Sequence, residues 1–342
     1  MYRGPGALVL EARPDAHPGA GEVVLAVSAC SICGTDLRIL DGKHRAYSNG
    51  IGRVPGHEVV GTIVEVGTDS ALTVGEQVFV APNFGCGRCR SCRRGQVNLC
   101  GERRAIGITE DGGFSERLLV PAALVAQGNL IPIATGSDAG AFALAEPLAC
   151  ALRGSKACDI SEGDVVVVYG AGAIGLFHVA LARLAGAAAV IVCARSAEKR
   201  RRALAWGASS AHADDTEELL SALEDAGARD GADAVIVAVP VSSKQVRALE
   251  LAGPNGRVNF FAGLPGDRSR IEIDSNLIHY KELVVTATTG SNNKNCTEAI
   301  ELIAEGIVDA GSLIDARLDL ASAERAFQLA RSGEALKVVI QP

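Results

Sequence analysis

The run Asp164-Val165-Val166-Val167-Val168-Tyr169 leads straight into Gly170-Ala171-Gly172-Ala173-Ile174-Gly175. An unbroken apolar stretch of this length reads as a strand buried on both faces. G-x-G-x-x-G after such a strand, opening a helical stretch from Ile174 to about Ala185, is a dinucleotide-binding turn. Gly170 permits the tight bend, Gly172 lets the backbone approach a pyrophosphate, and Gly175 lets the helix pack on the sheet. The helix N-terminus at Ile174 holds the anion. Further apolar runs follow at Ala189 to Cys193, Ala234 to Val239 and Gly256 to Ala262, with helical stretches at Glu198 to Trp206 and Glu217 to Asp225 between them. Strands alternating with helices predict βαβ units and a doubly wound parallel sheet, an α/β fold.

An NAD-binding turn usually ends its second strand with an acid that takes the ribose 2′-hydroxyl. Here that strand ends Cys193-Ala194-Arg195-Ser196, with no acid. Arg195 can hold a 2′-phosphate, Ser196 can hydrogen-bond it, and Lys199 or Arg200 can add charge. NADP(H) is therefore expected over NAD(H). The competing reading has Arg195 stacking on the adenine, with both cofactors working.

The chain before this region has a different texture. Glu22 to Ala29, Val59 to Val66, Gln77 to Val80 and Arg117 to Val120 are short apolar runs separated by Pro14, Pro18, Pro55, Pro82 and Pro121. Many short strands with Gly/Pro turns predict a barrel or sandwich. With 342 residues the chain has room for about two domains. The expected division is a β-rich domain over 1–150, a nucleotide-binding domain over 151–285, and a C-terminal piece over 286–342. That last piece holds helices at about Cys296 to Glu305 and Ser322 to Arg331 and a strand at Lys337 to Ile340.

Cys86, Cys89, Cys92 and Cys100 form C-x2-C-x2-C-x7-C in a lobe over about 84–101. Four thiolates close a tetrahedral zinc site completely, so the ion would be structural; an iron–sulfur cluster is the rival occupant. Arg88, Arg90, Arg93 and Arg94 crowd the same lobe. A solvated face explains them better than a nucleic-acid contact, because the chain's net charge is -7. No apolar run reaches the roughly 18 residues that span a bilayer. The opening Met1-Tyr2-Arg3-Gly4-Pro5 has no apolar signal core, so a cytoplasmic protein without membrane or nucleic-acid partners is expected.

Cys33-Gly34-Thr35-Asp36 and Gly56-His57-Glu58 bring a thiolate, an imidazole and a carboxylate, a set that suits zinc with an open position. Taken in order, Cys33-Gly34-Thr35-Asp36, Gly56-His57-Glu58, the four-cysteine lobe, Glu146-Pro147-Leu148-Ala149 and the glycine turn resemble the zinc-dependent medium-chain dehydrogenases of the alcohol dehydrogenase superfamily. The branch they resemble is that of the sorbitol and threonine dehydrogenases. The resemblance implies a GroES-like catalytic domain in two sequence pieces around an inserted Rossmann domain, and two zinc ions per chain. Cys33 and His57 match catalytic zinc ligands. Glu58 and Glu146 match the two glutamates that serve as ligand or close neighbour, and which one binds stays open. Thr35 matches the hydroxyl that passes the alcohol proton outward. The implied substrate is a small secondary alcohol or its ketone: a polyol, sugar or cyclitol, possible phosphate included. L-Threonine is the rival, and a non-catalytic zinc- and NADP(H)-binding protein is the reading from another class. Homodimers and homotetramers are common in the family.

One position departs from the family pattern. Many relatives carry histidine two residues after this motif, where this chain has Arg38, which stays protonated and cannot relay a proton. His44 and Tyr47 are the candidates to replace it, against the reading of both as exposed loop residues. Lys281 falls where polyol relatives keep a basic residue near the substrate; a surface salt bridge is the alternative.

Overall fold

The computed structural model describes residues 1–47, 51–69 and 71–342. The chain divides into two compact units, Met1–Ala149 with Gly290–Pro342, and Cys150–Thr289. The first cut falls inside the helix Ala145–Ala157, and the second lies past the strand Val284–Thr286.

The first unit is built on a seven-stranded sheet. Its order runs Ile314–Leu318, Lys337–Ile340, Val23–Ser31, Glu58–Val66, Gln77–Val80, Leu130–Pro132, and Arg117–Val120 also pairs with Val23–Ser31. Only Ile314–Leu318 and Lys337–Ile340 run parallel; the other pairs are antiparallel. The C-terminal piece joins this sheet through Val339 opposite Ser31 and Ile340 opposite Cys30. Inward residues such as Leu25, Val59, Ile63, Val78, Leu118 and Phe327 close one apolar core. This pairing is what brings Lys337 beside Glu58, almost 280 residues earlier in the chain.

The second unit is a six-stranded, wholly parallel sheet. Its order is Ser210–His212, Ala189–Cys193, Val165–Tyr169, Ala232–Val237, Ala252–Asn259, Val284–Thr286. Counted along this unit the order is 3-2-1-4-5-6, the doubly wound Rossmann arrangement, with its switch point between Val165–Tyr169 and Ala232–Val237. Ligands bind such sheets at the carboxyl ends of the strands beside that point. Every residue of Val165–Tyr169 and Ala189–Cys193 is buried, as the apolar runs require. Among the described residues no helix is long and apolar enough to cross a membrane.

Candidate active site, metal centres and nucleotide turn

The thiol, imidazole and carboxylate predicted from Cys33, His57 and Glu58 converge: one ligand atom from each lies within 4.8 Å of the others. Cys33 immediately precedes the helix Gly34–Leu40. The Asp36 carboxylate accepts the Cys33 N–H at 2.9 Å through Oδ2, which fixes the start of that helix. The other oxygen, Oδ1, faces His57 Nδ1 at 3.6 Å. A carboxylate behind the imidazole is the usual second partner of a metal-bound histidine, and it leaves Nε2 for the metal. Burial alone would strip the His57 proton, but Asp36 and Cys33 outweigh it and hold its pKa well above the ordinary value. Glu58 is fully buried, with Oε2 accepting from Lys337 Nζ at 2.5 Å. Its Oε1 is buried without a hydrogen-bond partner. An orphaned buried acceptor of this kind, beside a thiol and an imidazole, fits a cation. The donor set therefore suits zinc.

Lys337 escaped the sequence reading. It opens a strand whose four residues are all buried, and its ammonium also donates to the Ile32 carbonyl at 3.2 Å. A lysine at the start of an apolar strand looks like a solvated end; only the fold shows that this strand lies between Ile314–Leu318 and Val23–Ser31, with its first residue interior. Glu146 stands in the first turn of Ala145–Ala157 and is buried, but it is not among the three residues whose ligand atoms converge.

Thr35 lies half-buried in the first turn after Cys33. His44 is half-buried, and its Nδ1 accepts the Ala46 N–H at 3.3 Å. Burial lowers its pKa, and so do Arg38, His57, Arg45 and Arg103, so the ring is neutral at pH 7. Tyr47 is not an exposed loop residue. It is buried, stacks edge-on to Tyr2 at 5.1 Å and donates its hydroxyl to the Gly107 carbonyl at 2.8 Å. Burial raises its pKa, and its hydroxyl proton is committed to the Gly107 carbonyl.

The four lobe cysteines also meet, with their sulfurs within 4.8 Å of one another. A side chain on Gly85 would place its Cβ 2.4 Å from Cys92 Sγ, so only glycine lets the chain pass there. Gln127 pins the lobe by accepting from Gly85 N (3.1 Å) and donating to Gly85 O (2.9 Å), and Asn292 donates to Gly95 O at 2.9 Å. Backbone N–H groups of Arg88 and Cys89 lower the Cys86 thiol to about 7, toward the thiolate a metal needs. The arginines Arg88, Arg90, Arg93 and Arg94 are exposed.

In the second unit Gly170 bends at φ +106 directly after Tyr169, and a Cβ on Gly175 would sit 2.0 Å from the Gly170 carbonyl oxygen. The helix Ala173–Leu184 starts from Gly172 without a side-chain cap, and nothing lies within 4 Å of where a Gly172 Cβ would point. Ile174 sits in that first turn. Free N–H groups beside open space fit a pyrophosphate. At the end of the second strand Arg195 is exposed, and Ser196 caps the helix Ala197–Ala205 by accepting from Lys199 N. Arg200 Nη1 donates to the carbonyls of Ala194 and Arg195, both at 2.8 Å, and so braces the loop that presents Arg195. Lys281 donates to the carbonyls of Glu250 (2.9 Å) and Ala252 (2.7 Å), closing the end of the helix Ser242–Leu251. Two of its three donors are committed there, which leaves its expected substrate contact without support.

Comparison with known proteins agrees with this layout. Residues 19–132 match the model of the alcohol dehydrogenase GroES-like domain, and residues 173–305 match that of zinc-binding dehydrogenase. A sorbitol dehydrogenase of Halalkalibacterium halodurans is 30% identical over 99% of this chain and 97% of its own length. An L-threonine 3-dehydrogenase of Pyrococcus abyssi is 34% identical over 94% of this chain and 91% of its own length. A zinc-binding dehydrogenase from Sinorhizobium meliloti 1021, solved bound to NADP, superposes with a TM-score of 0.90 at 32% identity, covering 99% of this chain and 97% of that one. With the ligand sets, the mixed and parallel sheets and these relatives in agreement, the chain belongs to the zinc-dependent medium-chain dehydrogenases, in the branch of the sorbitol and threonine dehydrogenases, and is an NAD(P)-dependent zinc alcohol dehydrogenase.

Proposed function

We propose that this enzyme interconverts a secondary alcohol of the polyol, sugar or cyclitol class and its ketone, with NADP(H) as the hydride carrier and two zinc ions per chain. The observation that carries the reading is the convergence of Cys33, His57 and Glu58 beside the orphaned Glu58 Oε1. Zinc held there supplies Lewis acidity, which lowers the pKa of an alcohol oxygen and stabilises its developing negative charge. Asp36 orients the His57 ring, and Lys337 balances the Glu58 charge. The Thr35 hydroxyl takes the alcohol proton, and neutral His44 is the base that receives it beyond Thr35. Glu146 stands by as the alternative carboxylate ligand. Cys86, Cys89, Cys92 and Cys100 hold the second, structural zinc.

The dinucleotide sits on Gly170, Gly172, Ile174 and Gly175 in this reading. NADP(H) is favoured because the loop after Cys193 offers Arg195, Ser196 and Arg200 and no acid. Asp214, 3.9 Å from the Cys193 thiol, is itself ion-paired with Lys244. L-Threonine remains the second reading, supported by the 34% identical relative.

The test is metal analysis followed by a screen of polyols, cyclitols, their ketones and L-threonine, read by NADPH absorbance. Two zincs per chain and turnover of a polyol or cyclitol support the proposal. A higher kcat/KM on L-threonine moves the substrate to the second reading. Arg195→Ala should cut the NADPH-over-NADH preference about tenfold or more, since a charge-assisted contact contributes ~1.5–3 kcal/mol. An unmoved ratio removes Arg195 from cofactor selection.

A further inference from the structure

The carboxyl ends of three strands are tied together beside the glycine turn. Gly170 N donates to the Cys193 carbonyl at 2.8 Å, and Ala194 N donates to the His212 carbonyl at 3.0 Å. Tyr169 stands opposite Cys193, and Cys193 opposite His212, in the register of the parallel sheet. A dinucleotide whose pyrophosphate lies on the glycine turn has its ribose 2′ position read at the end of the second strand of this row.

The acids nearest these strand ends in the chain are Glu198, Asp214 and Asp215. Glu198 pairs with Arg201 and Arg202 on its own helix. Asp215 accepts the N–H groups of Glu217 at 2.8 Å and Glu218 at 3.1 Å and so caps the helix Thr216–Asp225. Asp214 alone of the three touches the second strand. Its Oδ1 lies 3.9 Å from the Cys193 thiol, which also reaches the Ala213 carbonyl at 3.5 Å.

Lys244 meets Asp214 from a different element. It is the third residue of the helix Ser242–Leu251, which follows the fourth strand, Ala232–Val237. Its ammonium lies over the ring of Tyr169, 5.5 Å from the centroid, and pairs with Asp214. The Tyr169 ring is buried and so gives that ammonium a fixed platform. The Lys244 and Asp214 side chains are 20% and 37% exposed, which leaves the pair partly shielded from water. An acid at the end of the second strand takes a ribose 2′-hydroxyl, and the same charge turns away a 2′-phosphate. Asp214 without its partner would be such an acid, supplied from the third strand.

We infer that Lys244 determines dinucleotide specificity: by pairing with Asp214 it silences the acid that touches the second strand, and so leaves the Arg195 loop open to a 2′-phosphate. The inference rests on the NADP(H) reading above and deepens it. Arg195 attracts the phosphate, and Lys244 cancels what would repel it. Lys244 is a positioning residue that acts through Asp214.

The experiment titrates the zinc-loaded protein calorimetrically with NADP+ and NAD+, and with 2′,5′-ADP and 5′-AMP, a pair that differs only in the 2′-phosphate. In Lys244→Met the NADP+ to NAD+ affinity ratio should fall about tenfold or more, as a like-charge juxtaposition requires, and the fragment ratio should fall with it. Salt should shrink the loss, because the site is part-exposed. Lys244→Arg should keep the wild-type ratio, and adding Asp214→Asn to Lys244→Met should restore most of it. A double variant no better than Lys244→Met overturns the inference, since Lys244 would then hold the phosphate itself. An equal loss for both members of each pair also overturns it, by marking a role in adenosine binding or packing. A wild type that binds NAD+ more tightly than NADP+ defeats the NADP(H) reading alone if Lys244→Met strengthens that preference and Asp214→Asn cancels the gain. If neither change moves the ratio in such a protein, both readings fall.

Discussion

Lys337 and Glu58 are 5% and 0% exposed, so neither charge has water to fall back on. Their contact holds the Lys337 ammonium charged: burial works to discharge it, and Glu58 and Cys33 overcome that. Removing one member of such a pair leaves the other buried and uncompensated, which costs about 3–5 kcal/mol, whereas removing both together is far milder. Lys337→Met in the metal-free protein should therefore lower the stability of the catalytic unit by ~3–5 kcal/mol. Adding Glu58→Gln should restore most of it. Equal losses in the single and double variants would show that packing, not charge, makes Lys337 necessary. The sequence offers Cys33, His57 and a glutamate, Glu58 or Glu146, as candidate ligands, because metal ligands must be of particular types and the order of the motifs resembles a zinc-dependent family. It does not show Lys337, because a counter-ion is defined by what the sheet register places opposite it.

At the scale of elements, the helix Ala173–Leu184 packs on Ala145–Ala157 through His178. Its ring meets Ser155 Oγ at 3.0 Å and lies edge-on to Phe261 at 4.9 Å, where a Cβ on Gly154 would come within 2.8 Å of it. Desolvation alone pushes its pKa down from 6.5 to about 3. The folded chain therefore refuses a proton that the unfolded chain binds below about pH 6.5, and stability is lost as pH falls from there toward 3. His178→Asn should flatten the stability–pH slope in that window by up to one proton, ~1.4 kcal/mol per pH unit, read from acid unfolding by Trp206 fluorescence. Trp206 contacts Phe177 on the same helix at 5.9 Å, so it reports this packing. An unchanged slope would mean that His178 is protonated in the folded chain. The strands of this unit are legible because burial on both faces demands unbroken apolar runs; Val165–Tyr169 and Ala189–Cys193 lie where those runs are. The strand Ala252–Asn259 begins four residues before the expected Gly256, because Ala252-Gly253-Pro254-Asn255 carries turn residues that the sheet overrides. The glycine turn could be read from its context, but the bracing of its loop by Arg200 and the capping role of Lys281 could not. Lys281 takes carbonyls at the C-terminal end of Ser242–Leu251, which a helix leaves unpaired, and Arg200 takes those of the loop that follows Ala189–Cys193; only the fold brings either side chain to its acceptors.

For the whole molecule, the two units have separate apolar cores, one around Leu25, Ile63 and Phe327, the other around Val167, Ile191 and Val235. Their ligands are separate too: the cysteine and histidine sets lie in residues 33–100, and the glycine turn in residues 170–175. A ligand that binds only the folded form stabilises by RT ln(1 + [L]/Kd), ~2.7 kcal/mol at a hundredfold excess over Kd. NADP+ at that excess should thus raise the transition of the nucleotide unit by this amount. Zinc should raise that of the catalytic unit, whose lobe has thiolates where other segments have a core. The single tryptophan, Trp206, belongs to the nucleotide unit, so its fluorescence follows one transition while calorimetry records both. NADP+ should move the fluorescence midpoint. Chelation of zinc should lower a calorimetric transition to which Trp206 is blind. If chelation shifts the Trp206 midpoint as far as the calorimetric one, the units unfold as a single cooperative body, and the separateness of their cores does not govern stability.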